Sequence, residues 1–213
     1  MERELELRLR AGIPMTWLHT MEEDRSLPRI KAVAEKIEFV VFDWKCTGGF
    51  SQLSSGQLRL PGDGKGTTNV DQALRAAGEY KQRQALVVIH DFDLLFGRLQ
   101  HSPDAVMLAR RVRDLGSDLR RSGNAIVFVA STATVPPELT ECVSVVTAAL
   151  PNHEERVQIV RGWLAANTSG AVVDDDTLFR MSSAAAGMTS ADIQAALAMS
   201  YVRHRGTSPG MVE

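Results

Sequence analysis

Ile13-Pro14-Met15-Thr16-Trp17-Leu18 runs straight into His19-Thr20-Met21-Glu22-Glu23-Asp24, and an amphipathic helical stretch follows. A phosphate-binding loop set between strand and helix is Gly-rich and closes on Gly-Lys-Ser/Thr, so that backbone N–H groups and a lysine cradle phosphates. Here three carboxylates stand at the helix N-terminus, where the helix dipole would otherwise attract an anion. They stabilise the helix and repel a triphosphate. The same residues point toward strand–turn–helix architecture and away from phosphate chemistry.

Four more apolar, β-branched-rich runs lie beyond this one: Phe39–Trp44, Ala85–Asp91, Ala125–Ser131 and Val143–Leu150. The first three of these are continuous rather than alternating, which suits strands buried on both faces. A helix starting near Asp24 carries Leu27, Ile30, Val33 and Ile37 on one side, with Pro28 expected in its first turn. A second runs from about Val70 to Lys81, capped by Asn69. A third runs from about Asp104 to Arg121 and stops at Ser122-Gly123-Asn124. Strands alternating with helices imply right-handed crossovers and an α/β fold, a doubly wound parallel five-stranded sheet. Lys45–Thr68 breaks the rhythm as a Gly- and Ser-rich loop with room for a hairpin, expected to be mobile or partner-facing. After Leu150-Pro151 the strands stop, and helices are expected at about Asn152–Ala166, Asp175–Ala186 and Ser190–His204. The expected organisation is an α/β domain over 1–150, a helical lid over 151–205 and a frayed tail over 206–213.

Composition narrows the function classes. The net charge of −2, with acids and bases interspersed, leaves no electrostatic footprint for nucleic acid and no polybasic segment for a lipid surface. The apolar runs are far short of a membrane span, and the acidic start Met1–Glu6 does not read as a signal peptide. Cys46 and Cys142 lack metal-ligand spacing and read as two reduced thiols of a cytoplasmic protein.

Chemistry is sought at the strand ends. Ala85–Ile89 leads into His90-Asp91-Phe92-Asp93, and a hydrophobic strand ending in Asp-Glu is how phosphate-loop ATPases hold Mg²⁺ and orient water. Asp91 takes that place, whereas Phe92 stands where the glutamate belongs. Asp93 is one position further, and on a continuing strand it would face the opposite side. The bland reading of Asp91 is a cap on the following turn. Ser131 and Thr132, ending the Ala125 strand, are polar residues placed to meet a γ-phosphate or its attacking water, or to satisfy loop backbone. Gly64-Lys65-Gly66-Thr67-Thr68 lacks the Ser/Thr after its lysine and a buried strand before it, and reads as a turn. No Arg or Lys occurs from Ser122 to Glu155, so the usual place of an arginine finger is empty. Arg110, Arg111, Arg113, Arg120 and Arg121, interleaved with Asp114 and Asp118, read as a solvated helix face.

The order of these parts resembles an AAA+ module. Leu150-Pro151-Asn152-His153-Glu154-Glu155-Arg156-Val157-Gln158-Ile159 is similar to the opening of an AAA+ lid. Gly187-Met188-Thr189-Ser190-Ala191-Asp192-Ile193 is similar to the start of its last helix. The nearest resemblance is to the amino-terminal half of uncharacterised AAA+ proteins of cyanobacteria and chloroplast genomes. Those begin on a like Glu-Leu-Glu-Leu segment (here Glu4-Leu5-Glu6-Leu7), have a first domain without a phosphate loop, and continue into an intact ATPase domain. The resemblance implies an AAA+ fold without the catalytic half: no catalytic residue, no resident cofactor, and a role in subunit assembly or as adaptor to an active ATPase. Its partners would be proteins, including further copies of itself. A rival reading is a nucleotide-binding ATPase with an unorthodox phosphate site. There Asp91 would ligate Mg²⁺, Asp93, Ser131 and Thr132 would line ATP, and Lys45 or Lys65 would reach the phosphates. A third is an unrelated small-molecule binder, for which the strand order would differ from 5-1-4-3-2.

Overall fold

The computed structural model describes residues 1–56, 58–62, 67–82, 84–99, 102–168 and 173–204. They form two compact units, Met1–Ala148 and Ala149–Glu213. The Gly64-Lys65-Gly66 turn and the 206–213 tail lie outside the described residues.

The first unit opens with α1 (Glu2–Arg10), β1 (Met15–His19), α2 (Glu23–Lys36), β2 (Val40–Lys45) and β3 (Gly49–Gln52). It continues through α3 (Val70–Glu79), β4 (Ala85–Ile89), α4 (Phe92–Leu99), α5 (Pro103–Ser122), β5 (Ala125–Ala130), a 3-10 turn at Pro137–Leu139 and β6 (Ser144–Thr147). The sheet has six strands in the order β3-β2-β4-β5-β1-β6. Every pairing is parallel except β2 with β3. Five of the strands therefore reproduce the expected 5-1-4-3-2 order, which disposes of the unrelated-fold reading. The five-stranded, all-parallel expectation is corrected by one strand: the Lys45–Thr68 loop begins as a hairpin whose return strand, β3, adds an antiparallel edge. That hairpin arises because Lys45 pairs back to Gly49, and Gly49 takes the left-handed φ of 71° that such a tight return requires.

Side-chain alternation divides the core. Met15, Trp17, Phe42, Trp44, Val87, Ile89, Ile126 and Phe128 face α3, α4 and α5. Leu18, Val41, Leu86, Val88, Val127 and Val129 face Leu5 and Leu9 of α1 and Ile30 and Val33 of α2. Burial on both faces is why these strands carry no polar alternation. Helix α2 begins at Glu23, so Pro28 falls in its second turn rather than its first. Pro28 is exposed there, as is Asp24, the residue whose carbonyl loses its helical donor.

Where α5 returns to the sheet, Gly123 adopts φ 75° and Asn124 turns inward. Its Oδ1 accepts from Ala85 N–H at 3.0 Å, and its Nδ2 donates to the carbonyls of Ala77 (3.2 Å) and Tyr80 (2.8 Å). One buried side chain thus ties the end of α3 to the starts of β4 and β5. Asn124→Ala would strand three backbone groups at about 1 kcal/mol or more each. We expect a loss of about 3 kcal/mol or more in urea unfolding, and Asn124→Asp, which keeps one acceptor but turns a carboxylate oxygen on the Ala77 and Tyr80 carbonyls, should recover none of it.

The second unit holds α6 (His153–Asn167), α7 (Asp175–Ala184) and α8 (Ser190–His204), closed on Val160, Leu164, Leu178, Met181, Ile193 and Leu197. The lid-like motifs are structural. Asn152 and Glu155 form a reciprocal capping box on α6. Arg156 donates to the carbonyls of Ser182 (2.7 Å) and Pro151 (2.8 Å), fastening α7 to the start of α6. Gly187 supplies φ 83°, and Thr189 Oγ1 accepts from Asp192 N–H at 3.1 Å to cap α8.

Candidate functional site

The C-terminal ends of β1, β4 and β5 are where an open α/β sheet binds ligands. At this edge only Thr20, Met21 and Glu22 connect β1 to α2. A phosphate loop of the Gly-x-x-x-x-Gly-Lys-Ser/Thr type spends about eight residues wrapping its ligand. This connection is shorter, contains no glycine, and is occupied by its own bonds. Thr20 N–H donates to Ala130 O at 3.0 Å, and Glu22 N–H donates to Thr20 Oγ1 at 3.0 Å. Thr20 Oγ1 also meets Ser26 Oγ at 2.8 Å, and Glu22 pairs with Arg25.

Beneath the N-terminus of α2 lies a charged network that sequence reasoning missed. Asp43 and Lys45 on β2 share the parity of Val41, and His90, just past β4, shares that of Val88, so all three sit on the α2 face. His90 and Asp43 are both buried, with His90 Nε2 bonded to Asp43 Oδ1. On its other side His90 Nδ1 lies 2.9 Å from Glu23 Oε1, without the alignment of a hydrogen bond. The same Glu23 oxygen accepts from Lys45 Nζ at 2.9 Å. Burial drags the His90 pKa down, but the bond and charge of Asp43, joined by Glu23, outweigh it and hold the pKa above the ordinary histidine value. For Glu23, burial pushes the pKa up, yet Lys45 and His90 prevail and it stands below the usual carboxylate value. The hydrogen bond that Lys45 donates to Glu23 raises the lysine's pKa. The lysine and the histidine are committed to a carboxylate of the chain itself.

The four residues read from sequence are distributed unevenly. Asp93 and Ser131 are brought together: Asp93 Oδ2 accepts from Ser131 N–H at 3.0 Å and Ser131 Oγ at 2.7 Å. The parity argument that turned Asp93 away fails because β4 stops at Ile89 and Asp93 belongs to the first turn of α4. Asp91 is exposed, takes φ 54°, and through its carbonyl accepts Leu95 N–H at 2.9 Å, opening α4. Thr132 turns its carbonyl to Trp17 Nε1 (2.8 Å), and its hydroxyl accepts Thr134 N–H at 3.1 Å. Among the described residues no group of three or more His, Cys, Asp or Glu side chains is arranged to hold a metal ion. No described helix is long and apolar enough to cross a membrane.

Comparison with known proteins agrees with this geometry at the level of fold. Residues 1–148 match the family model described as the N-terminal domain of SpoVK-like AAA ATPases. The uncharacterized AAA domain-containing protein ycf46 of Guillardia theta is 26% identical over 156 residues, covering 72% of this chain. The chain spans only 28% of that relative's length. Among solved structures, a chain of the HORMA:CdnC:Trip13 complex of E. coli MS115-1 superimposes with a TM-score of 0.66 at 14% identity, over 99% of this chain and 84% of that one. The FIGL-1 AAA domain, solved with ADP, gives 0.58 at 14% identity over 100% and 75%. A six-stranded, mostly parallel sheet in the AAA+ order, together with the family match across 1–148, makes this chain a member of the SpoVK-like AAA ATPase family in its N-terminal domain.

Proposed function

We propose that this chain is a non-catalytic AAA+-like module that serves subunit assembly or acts as adaptor to an active ATPase. The observation that carries the reading is Glu23, whose carboxylate fills the helix N-terminus and engages both Lys45 and His90. The residues here do not fit Mg²⁺–ATP. The three-residue turn offers no loop, Lys45 and His90 beside it are already paired, and Glu22, Glu23 and Asp24 repel a triphosphate. Asp93 Oδ2 is taken up by the Ser131 N–H and hydroxyl, while its Oδ1 is buried without a partner. The adaptor role takes support from the family description, which makes this the N-terminal domain of an ATPase, and from a structural neighbour solved in a complex with other proteins.

Calorimetric titration of the full chain with ATP and Mg²⁺ tests the reading. We expect no measurable heat, or binding no tighter than about millimolar, some 4 kcal/mol. Micromolar binding that weakens on Asp91→Asn would instead favour the nucleotide-binding ATPase, with Asp91 as the Mg²⁺ ligand and Ser131 and Thr132 near the γ-phosphate.

A further inference from the structure

Helices α3 and α5 cross closely: a Cβ placed on Gly78 would lie 2.5 Å from Leu115 Cδ1. Beside the crossing is a cleft of about 490 Å³ whose charged walls are Arg75, Lys81, Arg111, Arg121, Glu79 and Asp118. A neighbouring groove of about 240 Å³ shares Glu79 and Lys81 and adds Arg59. Five cations therefore meet three carboxylates along this channel of two adjoining grooves, Asp71 counted with Glu79 and Asp118, on a chain whose net charge is −2. The channel lies where β4 and β5 begin, at the end of the sheet away from the β1–α2 turn.

Helix C-termini attract cations, which accounts for Arg121 in the last turn of α5. It does not account for Arg75 or Arg111, which stand mid-helix. Those two are oriented by one carboxylate: Asp71 accepts from Arg75 Nε at 2.9 Å and from Arg111 Nε at 2.8 Å. Held by Nε alone, each guanidinium keeps its two Nη nitrogens for a ligand, the edge that pairs bidentately with a carboxylate. Lys81 and Arg59 make no ion pair among the described residues.

We propose that this channel docks a carboxylate-rich segment of a partner protein, received by Arg75 and Arg111 and by Lys81 where the two grooves meet. The proposal rests on the adaptor reading and gives it a surface. Glu79 and Asp118 in the walls disfavour a nucleic-acid backbone, whose evenly spaced phosphates cannot avoid them. A polypeptide can space its carboxylates around them and run the length of both grooves.

The test is fluorescence anisotropy of a fluorescein-labelled hexaglutamate peptide with the full chain at low ionic strength. We expect salt-sensitive binding that weakens about tenfold or more in Arg75→Glu/Lys81→Glu. Arg110→Glu, on α5 but paired with Asp114 and outside the channel, should leave it unchanged. If the double reversal does not fold, Arg75→Gln/Lys81→Gln reads the same loss. Absent binding, or equal weakening by Arg110→Glu, overturns the proposal. So does an oligouridylate that binds more tightly and is lost in the same variant. Self-association abolished by Asp175→Lys/Asp176→Lys would make the occupant a second copy and likewise refute a partner segment. None of these readouts involves ATP, so they stand or fall apart from the nucleotide titration.

Discussion

His90→Ala should lower the stability of the first unit by about 3–5 kcal/mol, the usual cost of removing one member of a buried ion pair. His90 is 1% exposed, and its loss leaves the Asp43 carboxylate buried without its hydrogen-bonded cation. Adding Asp43→Asn removes the stranded charge and should restore much of the loss, which separates electrostatics from the cavity. The pair also imposes a pH signature. Because the folded-state pKa of His90 is raised, its contribution is complete below the unfolded value of about 6.5 and is lost as pH rises through the folded value. Glu23 works in the opposite sense: its pKa is lowered from 4.5, so its contribution is present above that value and lost only in acid. Urea midpoints of the wild type should therefore decline from pH 6 toward pH 9, and those of His90→Ala should stay flat across that window. A flat wild-type profile would show that His90 is not held as the cation.

The network illustrates what a sequence can and cannot display. Its members are visible one at a time: a lone Asp43 inside Phe-Val-Val-Phe-Asp-Trp is a carboxylate in a buried strand and needs a partner. Which partner depends on the parallel register of β2 and β4, which aligns Asp43 with Val88 and so delivers His90 to the same face. Periodicity carries no register between distant segments. The buried strands β1, β2, β4 and β5 were legible because both faces are apolar. Strand β3 was not, being four residues long and half-exposed at an edge. Helix α1 was missed for a related reason: its charged sequence buries only Leu5 and Leu9. The acids at the β1–α2 turn stand at the start of α2, where the sequence put a helix N-terminus, but nothing local to them disclosed that Glu23 reaches across to Lys45 and His90.

Trp17→Ala should rival His90→Ala, at about 3–5 kcal/mol for emptying a fully buried indole. Trp17 stands among Phe92 and Phe128, with centroids at 6.1 and 6.4 Å, under the strand ends where Asp93 and Ser131 meet. Its Nε1 also holds the Thr132 carbonyl, so the core anchors the start of the loop after β5. Trp17→Phe separates the two roles. It keeps most of the aromatic packing and gives up the indole bond, at a cost of about 1–3 kcal/mol if the Thr132 carbonyl stays dry. Amide hydrogen exchange then reads the consequence: faster exchange over 131–135 in Trp17→Phe, with β4 and β5 unchanged. Because Asp93 independently ties Ser131 N–H, exchange at Ser131 should accelerate less than at Thr132 and its followers. A uniform rise across the whole sheet would instead show that the indole's bulk, and not its hydrogen bond, orders this edge.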